Sequence, residues 1–251
     1  MKNKPYVGIT GFKRIEEIEG VNRIVREEFS SSPYQVMFGY LCSEKRLANL
    51  EQEGKLSPAL SHLPKVISAA DPSVLTMIHY HSTNKENLAQ QVERVFTRDN
   101  IYSSGSCQSL QLNVDWPPLN EVERIITLFP EMKIVLQLPQ RAMEGRSISE
   151  IADLASTYAP FIAYTLVDPS GGKGKEIDLP FVKELVYSLQ EKMPQVNHGF
   201  AGGFCAENIE ERLALFPKGI SFDAQGKIRS ETGLDLDKCT LYLKTASRFV
   251  K

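Results

Sequence analysis

Eight short apolar runs, each followed by an amphipathic stretch, succeed one another along this chain, and that alternation restricts its fold more than any other feature. The runs that read as strands are Tyr6–Thr10, Gln35–Leu41, Val74–Tyr80, Ser109–Val114, Lys133–Leu138, Phe161–Val167, Asn197–Ala201 and Ile220–Asp223. The stretches between them read as helix over Val21–Phe29, from Lys45 to Leu50, and over Asn87–Phe96, Glu121–Phe129, Ile148–Ser156, Pro180–Lys192, Ala206–Leu215 and Lys238–Phe249. Strand–helix alternation implies parallel strands joined by helical crossovers. Eight such units can close on themselves, so the expected architecture is α/β, a (β/α)8 TIM barrel formed as a single domain over residues 1–251. A doubly wound open sheet is the competing arrangement.

Local signals agree with this register. Ser147 precedes Glu150 at capping-box spacing, and Pro180 stands where a helix begins and a missing N–H costs nothing. Pro130 and Pro217 follow helical stretches and prevent their continuation. Glu51 to Pro72 is the least regular part and reads as an insertion in the second unit.

A net charge of −2 argues against a general nucleic-acid binder. No apolar run approaches the roughly 20 residues that span a bilayer, and the start of the chain shows no signal-peptide core. Four widely spaced cysteines without a CxxC read as reduced thiols, and the location expected is cytoplasmic.

In a closed barrel the working residues gather where strands end and loops begin. Those positions here carry Thr10, Cys42, His79, His81, Asn113, Asp115, Asp168 and Asp223. Alternation along the fourth strand puts Gln111, Asn113 and Asp115 on one face, which predicts a polar mouth. Asp168 ends an apolar run and leads into Gly171-Gly172-Lys173-Gly174-Lys175. Further glycine turns follow the seventh and eighth strands, Ala201-Gly202-Gly203-Phe204 and Asp223-Ala224-Gln225-Gly226-Lys227. Glycine lets backbone N–H groups approach an anion closely, and barrel phosphate sites often follow strands seven and eight. His79 and His81, at i and i+2, can face the same way and hold a metal with added carboxylates, although a core or loop role is the plainer reading. Trp116, before two prolines, reads as a packed loop anchor.

These residues resemble the phosphoribosylanthranilate isomerase family. Leu166-Val167-Asp168 with Gly171-Gly172-Lys173-Gly174-Lys175 is similar to the family's LLD…GGTGK, and Phe200-Ala201-Gly202-Gly203-Phe204 with Glu207-Asn208-Ile209 to its LAGGL…ENV. Phe222-Asp223-Ala224-Gln225-Gly226 resembles VDVSSG, Leu110-Gln111-Leu112-Asn113 resembles QLHG with Asn113 in place of His, and Val7-Gly8-Ile9-Thr10-Gly11 resembles VKICG. The resemblance implies an isomerase of tryptophan biosynthesis that moves a proton from sugar C2 by general acid–base chemistry without a cofactor, as a monomer or homodimer. It implies Asp168 as general acid. Gly172, Gly202, Gly203, Asp223, Gln225 and Gly226 fall on the substrate and phosphate side, and Arg46 falls at the position of the anthranilate-carboxylate arginine. The family base is a first-strand cysteine; Thr10 stands there in this chain. A threonine hydroxyl is far too weak a base unaided. Cys42, His79, His81, Asp115 and Asp223 are the possible replacements. The expected partner is therefore a small phosphorylated substrate. A phospholigand-binding barrel without catalysis, or a metal-dependent hydrolase using His79 and His81, are the alternatives.

Overall fold

The computed structural model describes residues 3–170 and 177–250, so the Gly172, Lys173 and Lys175 positions lie outside the described residues. In chain order the elements are β1 (Tyr6–Thr10), α1 (Ile15–Phe29), β2 (Gln35–Ser43), α2 (Glu44–Ala48), α3 (Leu63–Ser68), β3 (Leu75–His81), α4 (Leu88–Phe96) and β4 (Ser109–Asn113). They continue with α5 (Leu119–Leu128), β5 (Lys133–Pro139), α6 (Gln140–Met143), α7 (Ile148–Ser156), β6 (Tyr164–Asp168), α8 (Leu179–Lys192), β7 (Asn197–Ala201), α9 (Ile209–Leu213), β8 (Ser221–Ala224) and α10 (Leu236–Phe249).

The strands pair in sequence order, all parallel, and β8 returns to β1 through Val7–Phe222, Gly8–Asp223 and Ile9–Ala224. The sheet is a closed barrel, which rules out the open-sheet alternative. Side chains alternate between two apolar regions, as strand geometry demands. Val7, Phe38, Tyr40, Ile78, Leu136 and Phe222 join the core under the helices. Tyr6, Met37, Met77, Val135, Tyr164 and Leu166 fill the barrel interior. Tyr6 and Tyr164, both first residues of their strands, meet edge to face with centroids 5.3 Å apart. The Tyr164 hydroxyl donates to the Lys4 carbonyl at 2.9 Å, so the N-terminal end of the interior is plugged by aromatic rings. The opposite end is left for polar residues.

Most boundaries follow the pattern of the sequence; the departures have local causes. α1 starts at Ile15 rather than Val21, because the Glu17 carboxylate accepts from the N–H groups of Lys13 and Arg14 at 2.7 and 3.1 Å and closes the helix start. The charged first turn and Gly20 mask its periodicity. β6 begins at Tyr164; Phe161 belongs to a turn in which its N–H bonds the Tyr158 carbonyl at 2.9 Å. α9 is shorter than Ala206–Leu215, because the Asn208 side chain folds the approach into a loop, accepting from Cys205 N–H at 3.0 Å and donating to Gly203 O at 2.8 Å. The irregular Glu51–Pro72 stretch carries α3. The predicted capping box forms: the Ser147 and Glu150 side chains each accept from the other's N–H, at 3.3 and 2.7 Å.

Trp116 is an anchor as expected, its indole N–H donating to Ala142 O at 2.8 Å. All four cysteines are free. Among the described residues no helix is long and apolar enough to cross a membrane.

Candidate active site

At the C-terminal ends of the strands lies a cavity of about 260 Å³. Two aspartates form its centre. Asp168, the last residue of β6, is 5% exposed and accepts hydrogen bonds from Gln137 and Ser170. Gln137 Nε2 donates to its Oδ2 at 2.8 Å, and Ser170 donates to its Oδ1 from the backbone N–H at 3.1 Å and from the hydroxyl at 2.8 Å. One oxygen therefore pins the turn that follows β6, while the carboxyl as a whole lines the cavity.

Asp223, on β8, is 6% exposed and also lines the cavity. Its oxygens accept from the Thr10 hydroxyl at 3.0 and 2.8 Å. Burial pushes its carboxyl up to about 7; the Thr10 hydrogen bond pulls the other way, and the negative charge of Asp168 adds to the rise. Asp223 thus exchanges its proton in the physiological range, which an ordinary aspartate does not.

Glycines make room for this pair. A Cβ on Gly8 would stand 2.6 Å from Asp223 Oδ1, and one on Gly39 would stand 2.4 Å from Thr10 Oγ1 and 2.8 Å from His79 Nε2. Gly39→Ala is expected to push Thr10 or His79 out of place. Overpacking of this kind costs about 1–3 kcal/mol and lowers the melting temperature by several degrees, measurable by thermal unfolding. A melting temperature equal to that of the parent protein would show the crowding to be harmless. Gly11, with φ of 104°, leaves space for Arg229, whose Nη2 donates to the carbonyls of Thr10 and Gly11 at 3.3 and 2.8 Å and fixes the end of β1.

The glycine turns after β7 and β8 come to the same cavity: Gly202, Gly203, Gln225 and Gly226 all line it. Gly202 and Gly203 have φ of 128° and 66°, conformations that favour glycine. Their carbonyls are held by Arg212 and by Asn208. Such a glycine backbone can approach an anion closely.

The remaining sequence candidates separate. His79 and His81 line the cavity, but burial pushes the His79 imidazole down to about 3, so it stays neutral. His81 Nδ1 bonds the Asn113 carbonyl at 3.0 Å. Among the described residues no group of three His, Cys, Asp or Glu side chains is arranged to hold a metal ion, which leaves the hydrolase alternative without a site there. Cys42 packs in the core under the helices, with its thiol pushed up to about 12 by burial, so it is not a base at the mouth. Asp115 lies beyond the end of β4, paired with Arg141, and does not share the inward face of Gln111. Arg46 is outside the cavity lining; its Nη1 donates to Gln52 O at 2.8 Å.

Gln137, Ser170, Arg141 and Arg229 are the polar residues around the site that sequence reasoning missed. Gln137 had a usable signal: it is a lone polar side chain inside the apolar run Ile134-Val135-Leu136-Gln137-Leu138. On a buried strand, such a residue needs a partner.

No protein-family model matches the sequence, and no curated protein matches it. Solved structures do match the fold. Phosphoribosyl anthranilate isomerase from Thermus thermophilus is 16% identical, with a TM-score of 0.63 over 99% of this chain and 100% of that one. The enzyme from Thermotoga maritima is 14% identical, with a TM-score of 0.65 over 97% and 99% of the two chains. A phosphoribosyl anthranilate isomerase in complex with reduced 1-(o-carboxyphenylamino)-1-deoxyribulose 5-phosphate is 13% identical, with a TM-score of 0.64 over 97% and 99%. The chain therefore shares, over nearly its whole length, the (β/α)8 fold of the phosphoribosylanthranilate isomerases, at identities that mark a distant likeness.

Proposed function

We propose that this protein is an isomerase of small phosphorylated sugars, a divergent counterpart of phosphoribosylanthranilate isomerase that works by general acid–base catalysis. The observation that carries the reading is the hydrogen bond from Thr10 to Asp223 inside a cavity shared with Asp168. By the sequence resemblance the base belongs at Thr10, which cannot serve alone. Asp223 stands within 2.8 Å of it and has the proton affinity that a base working at neutral pH needs. Gly202, Gly203, Gln225 and Gly226 provide the phosphate end, on the β7 and β8 side of the same cavity.

The steps balance without an external reagent. Asp168, in its protonated form, gives a proton to the sugar ring oxygen as the C1–O bond breaks. Asp223 takes the proton from C2, and the C2–H electron pair forms a C1–C2 double bond. Ketonisation at the C2 oxygen then moves a proton to C1. The product is an isomer of the substrate, with no net oxidation or reduction.

The test is a direct assay of purified protein with phosphoribosylanthranilate and with plain pentose phosphates, following product formation and deuterium uptake from heavy water at the carbon next to the carbonyl. Rescue of a tryptophan auxotroph lacking the isomerase is the cellular counterpart. Turnover or exchange of any of these phosphosugars supports the reading. Binding without either leaves a phospholigand-binding barrel in its place.

A further inference from the structure

The cavity wall carries two carboxylates, Asp168 and Asp223, and among the described residues a single lysine or arginine lines it, Arg141. Arg141 lies in α6, two residues past Pro139, which is the register partner of Asp168. Two contacts from the loop after β4 hold it there. Asp115 Oδ2 accepts from Arg141 Nε, and the indole N–H of the next residue, Trp116, donates to the carbonyl of Ala142 at 2.8 Å. Successive residues of one loop thus grip successive residues of the other. Arg141 lines the cavity and Asp115 does not, so the arginine stands between its partner and the cavity. An ion pair this open to water adds little to stability, and the Trp116 bond already joins the two loops. Its evident effect is to set the arginine in one place before a ligand arrives, which lowers the cost of binding.

The chemistry of the free donors narrows the ligand. The Arg141 side chain is 54% exposed, and among the described residues only its Nε makes a hydrogen bond within the chain. The two terminal amino groups of the guanidinium remain, and their parallel N–H bonds match the two oxygens of a carboxylate. Position separates this anion from the phosphate. The glycine turns that would hold the phosphate follow β7 and β8, two and three strands round the barrel from β5. At about 4.8 Å for each strand step, roughly 10 Å or more of sheet lies between them. Arg141 therefore meets the end of a sugar phosphate that is remote from its phosphate.

From this the geometry points to a second anion subsite: Arg141, held by Asp115, binds a carboxylate at the end of the substrate remote from the phosphate. The sequence resemblance gives that task to Arg46, which lies outside the cavity lining and is engaged by Gln52 O. The inference rests on the phosphosugar reading above and names the substrate class within it, phosphosugar derivatives that carry a carboxylate.

Calorimetric titration of the intact protein tests it with the reduced carboxyphenylamino-deoxyribulose phosphate, the reduced phenylamino compound that lacks only the carboxyl group, and inorganic phosphate. The first two differ by the carboxylate alone, so the wild-type protein gives an answer without any substitution. The carboxylated compound is expected to bind about 10- to 100-fold tighter than its partner, the range for hydrogen bonds to a charged group. Arg141→Met is expected to bring the two affinities together while leaving that for inorganic phosphate unchanged. Arg46→Met is expected to preserve the difference. Equal binding of the two compounds by the wild-type protein, or a difference that survives Arg141→Met, would overturn the subsite and leave the phosphosugar reading in place. A difference that Arg141→Met removes, with no turnover of any phosphosugar, would leave the subsite standing and remove the isomerase. Failure of all three ligands to bind would remove the phosphosugar reading and the subsite with it.

Discussion

Asp223→Asn is expected to yield a protein that is harder to unfold at pH 8 and turns over far more slowly. The buried carboxyl sits at about 7 in the folded chain against an ordinary 3.8, a difference worth up to about 4 kcal/mol. The sign follows from which state holds the proton. The folded value is the higher one, so the folded protein binds an extra proton between the two values. The stabilisation this supplies is fully present below about pH 4 and is lost as pH rises through 7. At pH 8 the wild-type protein therefore buries a charge close to that of Asp168, and asparagine removes it. The Asn oxygen can still accept from the Thr10 hydroxyl. The variant's melting temperature should rise by about 5–10 °C at pH 8 and by little at pH 4, for a chain of this size. A gap independent of pH would show that the carboxyl is not strained by its burial. Turnover should fall by about 10²–10⁴, the range usual for loss of a general base. If Asp223 is the base of the proposed reaction, kcat/KM of the wild-type protein should decline as pH falls below about 7, because a protonated carboxyl cannot accept the C2 proton.

Much of this site is written locally, and that part was legible. Asp168 follows an apolar run and precedes glycines, and Gly202 and Gly203 follow another, so the strand tips announce themselves along the chain. Eight repeats of one unit likewise left little choice of fold once each unit was placed. What one sequence hides is the contact made by closure. Thr10 and Asp223 are 213 residues apart and meet only because β8 pairs with β1. Side-chain direction was readable within a strand and not beyond it. Gln111 does face inward as alternation requires, but β4 ends at Asn113, so Asp115 turns aside to Arg141. Cys42 shows the same limit from the other side. It lies near the end of β2, yet it falls on the outward face with Tyr40 and is packed against helices. Arg46 was located by resemblance alone, and its side chain is engaged by the loop that follows α2.

Asp168→Asn separates the enzyme from the phospholigand-binding barrel. If Asp168 is the acid, its replacement should cut turnover by about 10²–10⁴ while a phosphosugar still binds, since the glycine turns proposed to hold the phosphate are untouched. The fold should survive. Asn keeps an oxygen for the N–H and hydroxyl of Ser170, and Gln137 can rotate its amide to present an oxygen to the new amide group. In a non-catalytic barrel there is no turnover to lose, and the substitution changes affinity alone. The variant also reports on the coupling that the mechanism needs. The charge of Asp168 helps hold the Asp223 carboxyl at about 7, so removing that charge should move the Asp223 titration to lower pH, readable by carbon NMR of labelled aspartate. An unchanged midpoint would mean that the two carboxyls do not sense each other across the cavity. A pair that does not interact could still bind a sugar phosphate, but handing a proton to one side of the substrate would then do nothing to ease its removal from the other.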